Sequence, residues 1–410
     1  MGKPHAARWR LPRPVHSRVS RIRVIGALLV LWMVCQLHLF SVYRDALSAK
    51  YGPTEFGILG AEQHYRPDSE AEKLQAELVA SRSEWKKLGA GFEGTTYVLN
   101  DTVIKTFTPG RSPFRNCHPK HTTIRWPTEI PASLLFCSGS SGRNATSRVS
   151  RNAPTIGCLP VKAAFHTAAG PGMITQWHLV MPLARQGTLK SLSKNVQTQN
   201  LGFRILDARY RATFHELLRS LQILHETGFC HDDIKPDNIF VGEKQRWILG
   251  DLGNVRHVSH PYHKSRIWSD NMQLPDCRTN DAVRALKSYI LFLRASSINV
   301  EALDEELFLG REPLSKLFLW MLDDATTMTA EELRERSSFK HPAQTVQVEA
   351  VHAVSSRPAW PSLLPYLSFR GQRLSRRVKH ALNLSNSEML ARWKAMTWIF
   401  GIDQSVCSGM

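Results

Sequence analysis

The sequence predicts an α+β chain of two lobes, a β-rich one followed by a helical one, behind a single transmembrane helix. Three observations lead there. Residues 24–43 (VIGALLVLWMVCQLHLFSVY) form an apolar run of the length, about 20 residues, that crosses a bilayer as a helix. Between Leu88 and Phe107, glycines and short β-branched runs read as a hairpin: Thr95–Leu99, a turn at Asn100-Asp101, then Thr102–Phe107. Beyond residue 200 the apolar residues fall at helical spacing, with Phe214, Leu217, Leu218, Leu221 and Leu224 on one face of Leu206–His225 and a second apolar helix over Asp281–Arg294. The expected order is a basic tail over 1–23, an anchor over 24–43, a stalk or linker over 44–83, a folded domain over 84–340 and a basic extension over 341–410.

The anchor comes first. Its apolar run is longer than a usual signal-peptide core, and no clean small-x-small cleavage site follows before Lys50, which favours an uncleaved span over a cleaved signal. Seven positive charges and no acid precede it, while only Arg44 and Lys50 follow closely, so the N-terminus is expected in the cytosol. Everything after residue 43 then faces the ER or Golgi lumen or the exterior, as a single-pass type II protein. The Arg-rich, acid-free start also fits a mitochondrial inner-membrane anchor, the alternative. Three Asn-x-Ser/Thr sites, at Asn100, Asn144 and Asn383, lie on the far side and are compatible with a glycoprotein.

Charge and cysteine usage narrow the class further. Of the net charge of +18, seven units sit in residues 1–23 and six in 340–410. A nucleic-acid function would need a basic face within the folded part, so none is expected. Among the seven cysteines, Cys35 lies in the span, and the other six allow fifteen pairings among which the sequence does not choose. No CxxC pair is present, which speaks against zinc.

Within the folded part, residues 69–86 have helical composition, with Leu74, Leu78 and Trp85 near helical spacing. Residues 138–154, rich in Ser, Gly and Arg, read as a surface loop. Five segments carry the candidate chemistry. Gly89-Ala90-Gly91-Phe92-Glu93-Gly94 is a GxGxxG, whose glycines let backbone amides approach phosphate oxygens. A dinucleotide fold would need a helix directly afterwards, whereas Thr95-Thr96-Tyr97-Val98 continues as strand. Next comes Val103-Ile104-Lys105, eleven residues after the third glycine to its lysine. Leu179-Val180-Met181-Pro182-Leu183-Ala184 is a short apolar strand ahead of Gly187. His231-Asp232-Asp233-Ile234-Lys235-Pro236-Asp237-Asn238 is a charged loop between an apolar helix and the strand-like Ile239-Phe240-Val241. Asp251-Leu252-Gly253 follows Trp247-Ile248-Leu249. Singly, each has an ordinary reading as a glycine turn, a buried strand or a surface loop.

In this order and spacing the five resemble the eukaryotic protein kinase superfamily over roughly residues 84–340, which implies a bilobal protein-kinase-like fold using ATP and Mg2+. The resemblance implies that Gly89, Gly91 and Gly94 cover the ATP phosphates. Lys105 would grip them and pair with a glutamate on the next helix, and Glu129 is the only acid between Asp101 and Asp207. Pro127 and Pro131 flank Glu129, so a short or late-starting helix is expected. Met181, Leu183 and Ala184 would form the hinge that meets adenine. Asp233 would orient the acceptor hydroxyl and take its proton, and Lys235, which leans toward a Ser/Thr-type enzyme, would neutralise charge on the γ-phosphate. Asn238 and Asp251 would hold magnesium.

The chain also departs from the family. Asp232 stands where an arginine usually receives an activation-loop phosphate, so phospho-switching by that route is not expected. No A-P-E motif follows Gly253, and the arginine that would pair with its glutamate, ahead of the late helix Thr329–Arg336, is missing too. Asp281 resembles the residue that braces the catalytic loop from below. Every phosphate-side residue is kept, which favours an active membrane-anchored Ser/Thr-type kinase acting on a protein or glycoprotein. A lumenal kinase of sugar hydroxyls and a nucleotide-binding pseudokinase scaffold are the alternatives. In the tail, Leu390, Trp393, Met396 and Ile399 fall near helical spacing and are expected to pack on the helical lobe, with a partner- or lipid-binding element as the other reading.

Overall fold

The computed structural model describes residues 16–54, 56, 69–91, 93–108, 115–116, 126–137, 156–168, 175–337 and 364–402. The expected loop over 138–154, the glycosylation site at Asn144, and Cys117 and Cys407 lie outside them. In chain order the elements begin with α1 (His16–Lys50) and α2 (Ser69–Ala80). The first lobe continues with β1 (Lys86–Ala90), β2 (Gly94–Leu99), β3 (Thr102–Phe107), β4 (Arg115–Asn116), β5 (Trp126–Pro127), α3 (Glu129–Phe136), β6 (Ala163–Ala168) and β7 (Thr175–Pro182). The second holds α4 (Leu189–Gln197), α5 (Phe203–Glu226), β8 (Phe229–Cys230), β9 (Ile239–Val241), β10 (Trp247–Leu249), β11 (Arg256–His257), α6 (Arg266–Asp270), α7 (Cys277–Ser296), α8 (Val300–Leu309), α9 (Pro313–Asp323) and α10 (Ala330–Ser337). Three tail helices follow: α11 (Leu364–Ala381), α12 (Met389–Lys394) and α13 (Thr397–Phe400).

The first lobe is a five-stranded antiparallel sheet in the order β1-β2-β3-β7-β6. Alternation along β3 decides what each face does. Ile104 points to one face, where Val180, Phe165 and Leu78 of α2 bury it. Phe107 points to the other and packs with Trp126, Ile130, Leu134, Trp177 and Leu179. Ile130 and Leu134, four residues apart, therefore fasten α3 beneath the face that Lys105 shares with Phe107. The helical lobe has the larger core, centred on α5 and α7, where Phe214 stacks on Tyr289 with ring centroids 4.3 Å apart. The β-rich and helical lobes expected from the sequence are both present.

Two expectations are corrected. The described ends of the expected stalk over 44–83 pack on the two lobes. Helix α1 runs unbroken past the apolar run to Lys50, and Tyr43, Ala46, Leu47 and Tyr51 are buried against Tyr262, Ile267 and Trp268 of the helical lobe. Their apolar side chains find a cover there, and further along Leu78 of α2 finds one on the sheet. In the tail, the stripe of Leu390, Trp393, Met396 and Ile399 does not face the lobe. The chain kinks at Met396, whose φ is 48°, and it is the small Ala391 and Ala395 that pack inward.

Candidate active site

Lys105 and Glu129 meet because β3 and α3 are locked face to face by the core just described. The Lys105 Nζ donates to Glu129 Oε2 and, at 3.1 Å, to Asp251 Oδ1. Helix α3 begins at Glu129 itself, and Pro131, in its first turn, has no helical partner to lose. Burial works against the Lys105 charge, but Asp251, Glu129 and Glu93 outweigh it and hold the ammonium charged. Burial pushes Glu129 up to about 7, with Lys105 opposing. Asp251 is held below the usual carboxylate range, chiefly by Lys105.

The glycine turn covers this pair. Gly94 sits so close to β3 that a Cβ there would lie 2.1 Å from the Thr106 carbonyl oxygen, so no other residue fits without moving the strand. Gly89 and Gly91 have open space where a Cβ would be, and the Gly91 amide closes the turn on the Gly94 oxygen at 2.9 Å. Glu93 of the same turn leans into the cleft. Its carboxylate would lie 3.4 Å from a Cβ on Gly253, and burial raises its pKa. The motif gave its position but not this inward reach.

At the hinge, Met181 pairs with Val103 in the sheet, and the Leu183 amide donates to the Asp101 oxygen at 2.9 Å. The Leu183 N–H is thus taken up by the β2–β3 turn. The Ala184 amide has no partner among the described residues, and its carbonyl accepts from Gly187.

The charged loop 231–238 is held from below. Asp281 in α7 accepts from the amides of His231 at 2.6 Å and Asp232 at 2.9 Å, and His231 Nε2 lies 3.0 Å from the Gly250 oxygen. A Cys230–Cys277 disulfide joins the strand before the loop to the start of α7. Lys235 Nζ donates to Asp233 Oδ2 at 2.8 Å, and Asn238 Nδ2 donates to the Asp233 carbonyl and carboxylate at 2.9 and 3.0 Å. That leaves the Asn238 Oδ1 as an oxygen donor, and with Asp251 it makes the hard-oxygen pair that suits magnesium. Asp251 itself adopts a left-handed backbone, φ 55°. Arg284 of α7, which sequence reasoning passed over, approaches Asp233 Oδ1 at 3.5 Å while donating to the Leu384 carbonyl.

Asp232 has its own counter-charges. Buried Arg256 donates to its Oδ2 at 3.0 Å and His263 lies 2.9 Å from the same atom. Together they outweigh burial and lower the Asp232 pKa. Arg256 also donates to the Lys50 carbonyl at the end of α1, and Thr54 donates to the Val255 carbonyl.

A β-sheet lobe over a helical lobe, with Lys105, Glu129, Asp233, Asn238 and Asp251 converging in the cleft, defines a kinase-type nucleotide site. A family profile described as protein kinase domain matches residues 165–273, which takes in the hinge strand, the charged loop and Asp251. Among curated proteins the chain is 25 % identical over 197 residues to serine/threonine-protein kinase PDK1 of Cryptococcus neoformans, covering 46 % of this chain and 15 % of that one. It is 32 % identical over 82 residues to cyclin-dependent kinase-like 1 of Caenorhabditis elegans, covering 20 % and 22 %. Against serine/threonine-protein kinase 16 of Mus musculus it is 27 % identical over 88 residues, covering 22 % and 28 %. The matched part is thus under a third of the length of each of these relatives. Over residues 165–273 the chain is thus similar to the protein kinase domain family.

Proposed function

We propose that this protein is an ATP- and magnesium-dependent Ser/Thr-type protein kinase, anchored by residues 24–43 with its catalytic domain in the lumen of the secretory pathway. The contact of Lys105 with both Glu129 and Asp251 carries the reading, since it joins the residue that would hold phosphates to the residue that would hold the metal. Magnesium, when bound, would neutralise the phosphate charge. Asp233 would position the acceptor hydroxyl and receive its proton, and Lys235, already on the Asp233 carboxylate, would face the incoming γ-phosphate. Ala184 would offer its amide to adenine. The matched relatives named as serine/threonine kinases support a protein acceptor.

The lumenal placement is supported by the apolar, exposed part of α1 from Val24 to Leu37 and by two disulfides, Cys137–Cys158 and Cys230–Cys277. A sugar hydroxyl is the second acceptor reading, favoured by the way residues 43–54 and 384–392 pack beside Asp233 and Arg256. The test is transfer of labelled phosphate from ATP by the full chain to a mixed pool of proteins and glycopeptides, with the labelled atom identified. Phosphoserine or phosphothreonine supports the first reading, and phosphosugar the second. Absence of transfer to any acceptor, with ATP still bound, would return the chain to a scaffold. Protease protection in sealed microsomes tests the topology, and digestion of the domain from the cytosolic side would refute it.

A further inference from the structure

Helices α12 and α13 carry six large apolar side chains that stay more than half exposed among the described residues: Met389, Leu390, Trp393, Trp398, Ile399 and Phe400 are 53–79 % exposed. A folded surface rarely leaves so many together without a use. Their position along α1 says what the use is. Phe400 packs edge-on against Phe40 with ring centroids 5.7 Å apart, and Lys394 Nζ lies 3.5 Å from Gln36 Oε1. Arg44 sits over both Phe40 and Phe400, at 5.7 and 5.8 Å, and donates to the Gly401 carbonyl. The pair of short helices therefore lies along the last two turns of the apolar span, about 12 Å of helix from Gln36 to Arg44.

The small buried Ala391 and Ala395 let this segment come close to α1, while its bulky residues face away. The exposed face is continuous with the large apolar side chains of the span between Val24 and Leu37, which lie at 55–64 % exposure themselves. A soluble partner on this face would have to enter the layer that the span occupies. Two tryptophans beside Arg392, Arg44 and Lys394 are the composition of a bilayer interface, with apolar rings inward and cations at the headgroups.

We infer that residues 389–400 are a second membrane contact, a foot inserted in the headgroup–acyl boundary of the leaflet that faces the catalytic domain. This rests on the reading of residues 24–43 as a membrane span. The foot and α1 together hold the helical lobe flat against the bilayer, where Glu388 clamps the base of the foot to Lys50 at 2.5 Å and to the Tyr51 hydroxyl at 2.6 Å.

The test uses the full chain reconstituted in phosphatidylcholine vesicles containing lipids brominated either near the headgroup or deep in the acyl chain, and reads tryptophan emission. The Trp393→Phe/Trp398→Phe variant keeps apolar rings and should lose about half or more of the quenching by the shallow lipid, because these two would be the tryptophans at the interface. Trp32→Phe should lose quenching by the deep lipid. Shallow quenching that is unchanged in the double variant, with deep quenching lost in Trp32→Phe, would overturn the foot and leave the span standing. If Trp32→Phe changes nothing and alkaline carbonate extracts the chain, the span itself fails and the foot with it. Strong quenching of Trp393 and Trp398 by aqueous iodide in the vesicles, whether or not a partner is present, would also overturn the inference.

Discussion

Around Asp233 the cleft has two halves of different construction. Toward the glycine turn, Lys105 holds both Glu129 and Asp251, while Lys235 and Asn238 both hold Asp233. Toward the acceptor, the usual arginine is replaced by a buried acid, Asp232, and its counter-charges come from Arg256 and His263. The polarity of that ion pair is reversed, and its arginine is tied to the end of α1 through the Lys50 carbonyl. One half thus keeps the phosphate-side residues in contact, while the other answers its buried acid with an internal charge pair. A buried carboxylate with its own arginine leaves no call for a phosphate to order the segment.

The largest effect should come from Asp233→Asn, which removes the proton acceptor and should lower phosphate transfer about 10³-fold in a single-turnover assay. Lys105→Met should cost about 10²–10³-fold in kcat through lost electrostatic stabilisation. Either change should leave the acceptor half folded, as thermal unfolding would show.

On the other side, Arg256→Ala should cost about 3 kcal/mol of stability, because it leaves the buried Asp232 carboxylate with His263 as its remaining counter-charge. Arg256→Met combined with Asp232→Leu should lie closer to wild type than Arg256→Ala does, as removing both charges removes the penalty. Denaturant titration separates these outcomes, and equal losses in the two variants would break the claim that the charges serve each other. Removing the Cys230–Cys277 bridge, which closes a 47-residue interval, should cost about 4 kcal/mol by loop entropy.

The smallest effect is the pH dependence, and its sign differs between two histidines. The hydrogen bond and charge of Asp232 outweigh burial and raise His263 above its ordinary 6.5. Its contribution is therefore complete below 6.5 and fades as pH rises through the raised folded-state value. His178, buried between Thr106 and Thr167 in the sheet, is pushed down by burial to about 4. Its neutral form stabilises the first lobe above 6.5, and that stability is lost as pH falls from 6.5 toward 4. Stability profiles of His263→Gln and His178→Gln should each flatten one limb only.

How far the sequence could be read follows from the range of the contacts. The 231–238 loop and the Asp-Leu-Gly turn are continuous segments, so their roles could be assigned by resemblance. Glu129 was reachable by elimination, being the lone acid of its stretch. Arg256 could not be found that way, because its partners Asp232 and Lys50 lie 24 and 206 residues away and no local pattern joins them. The burial of Tyr43, Leu47 and Tyr51 was hidden for a similar reason: they continue an apolar span, and only the tertiary fold shows that a lobe receives them. In the tail, apolar spacing was legible but its direction was not, since small alanines rather than large residues make the inward face.

The most direct test of the account is single-turnover phosphate transfer from labelled MgATP by the full chain and its Asp233→Asn variant, each before and after phosphatase treatment. Wild type should transfer phosphate undiminished by phosphatase treatment, and Asp233→Asn should lose nearly all transfer with nucleotide binding retained. Wild-type transfer that disappears after phosphatase treatment would contradict the internal charge pair, and the absence of transfer from untreated wild type would contradict the catalytic reading itself.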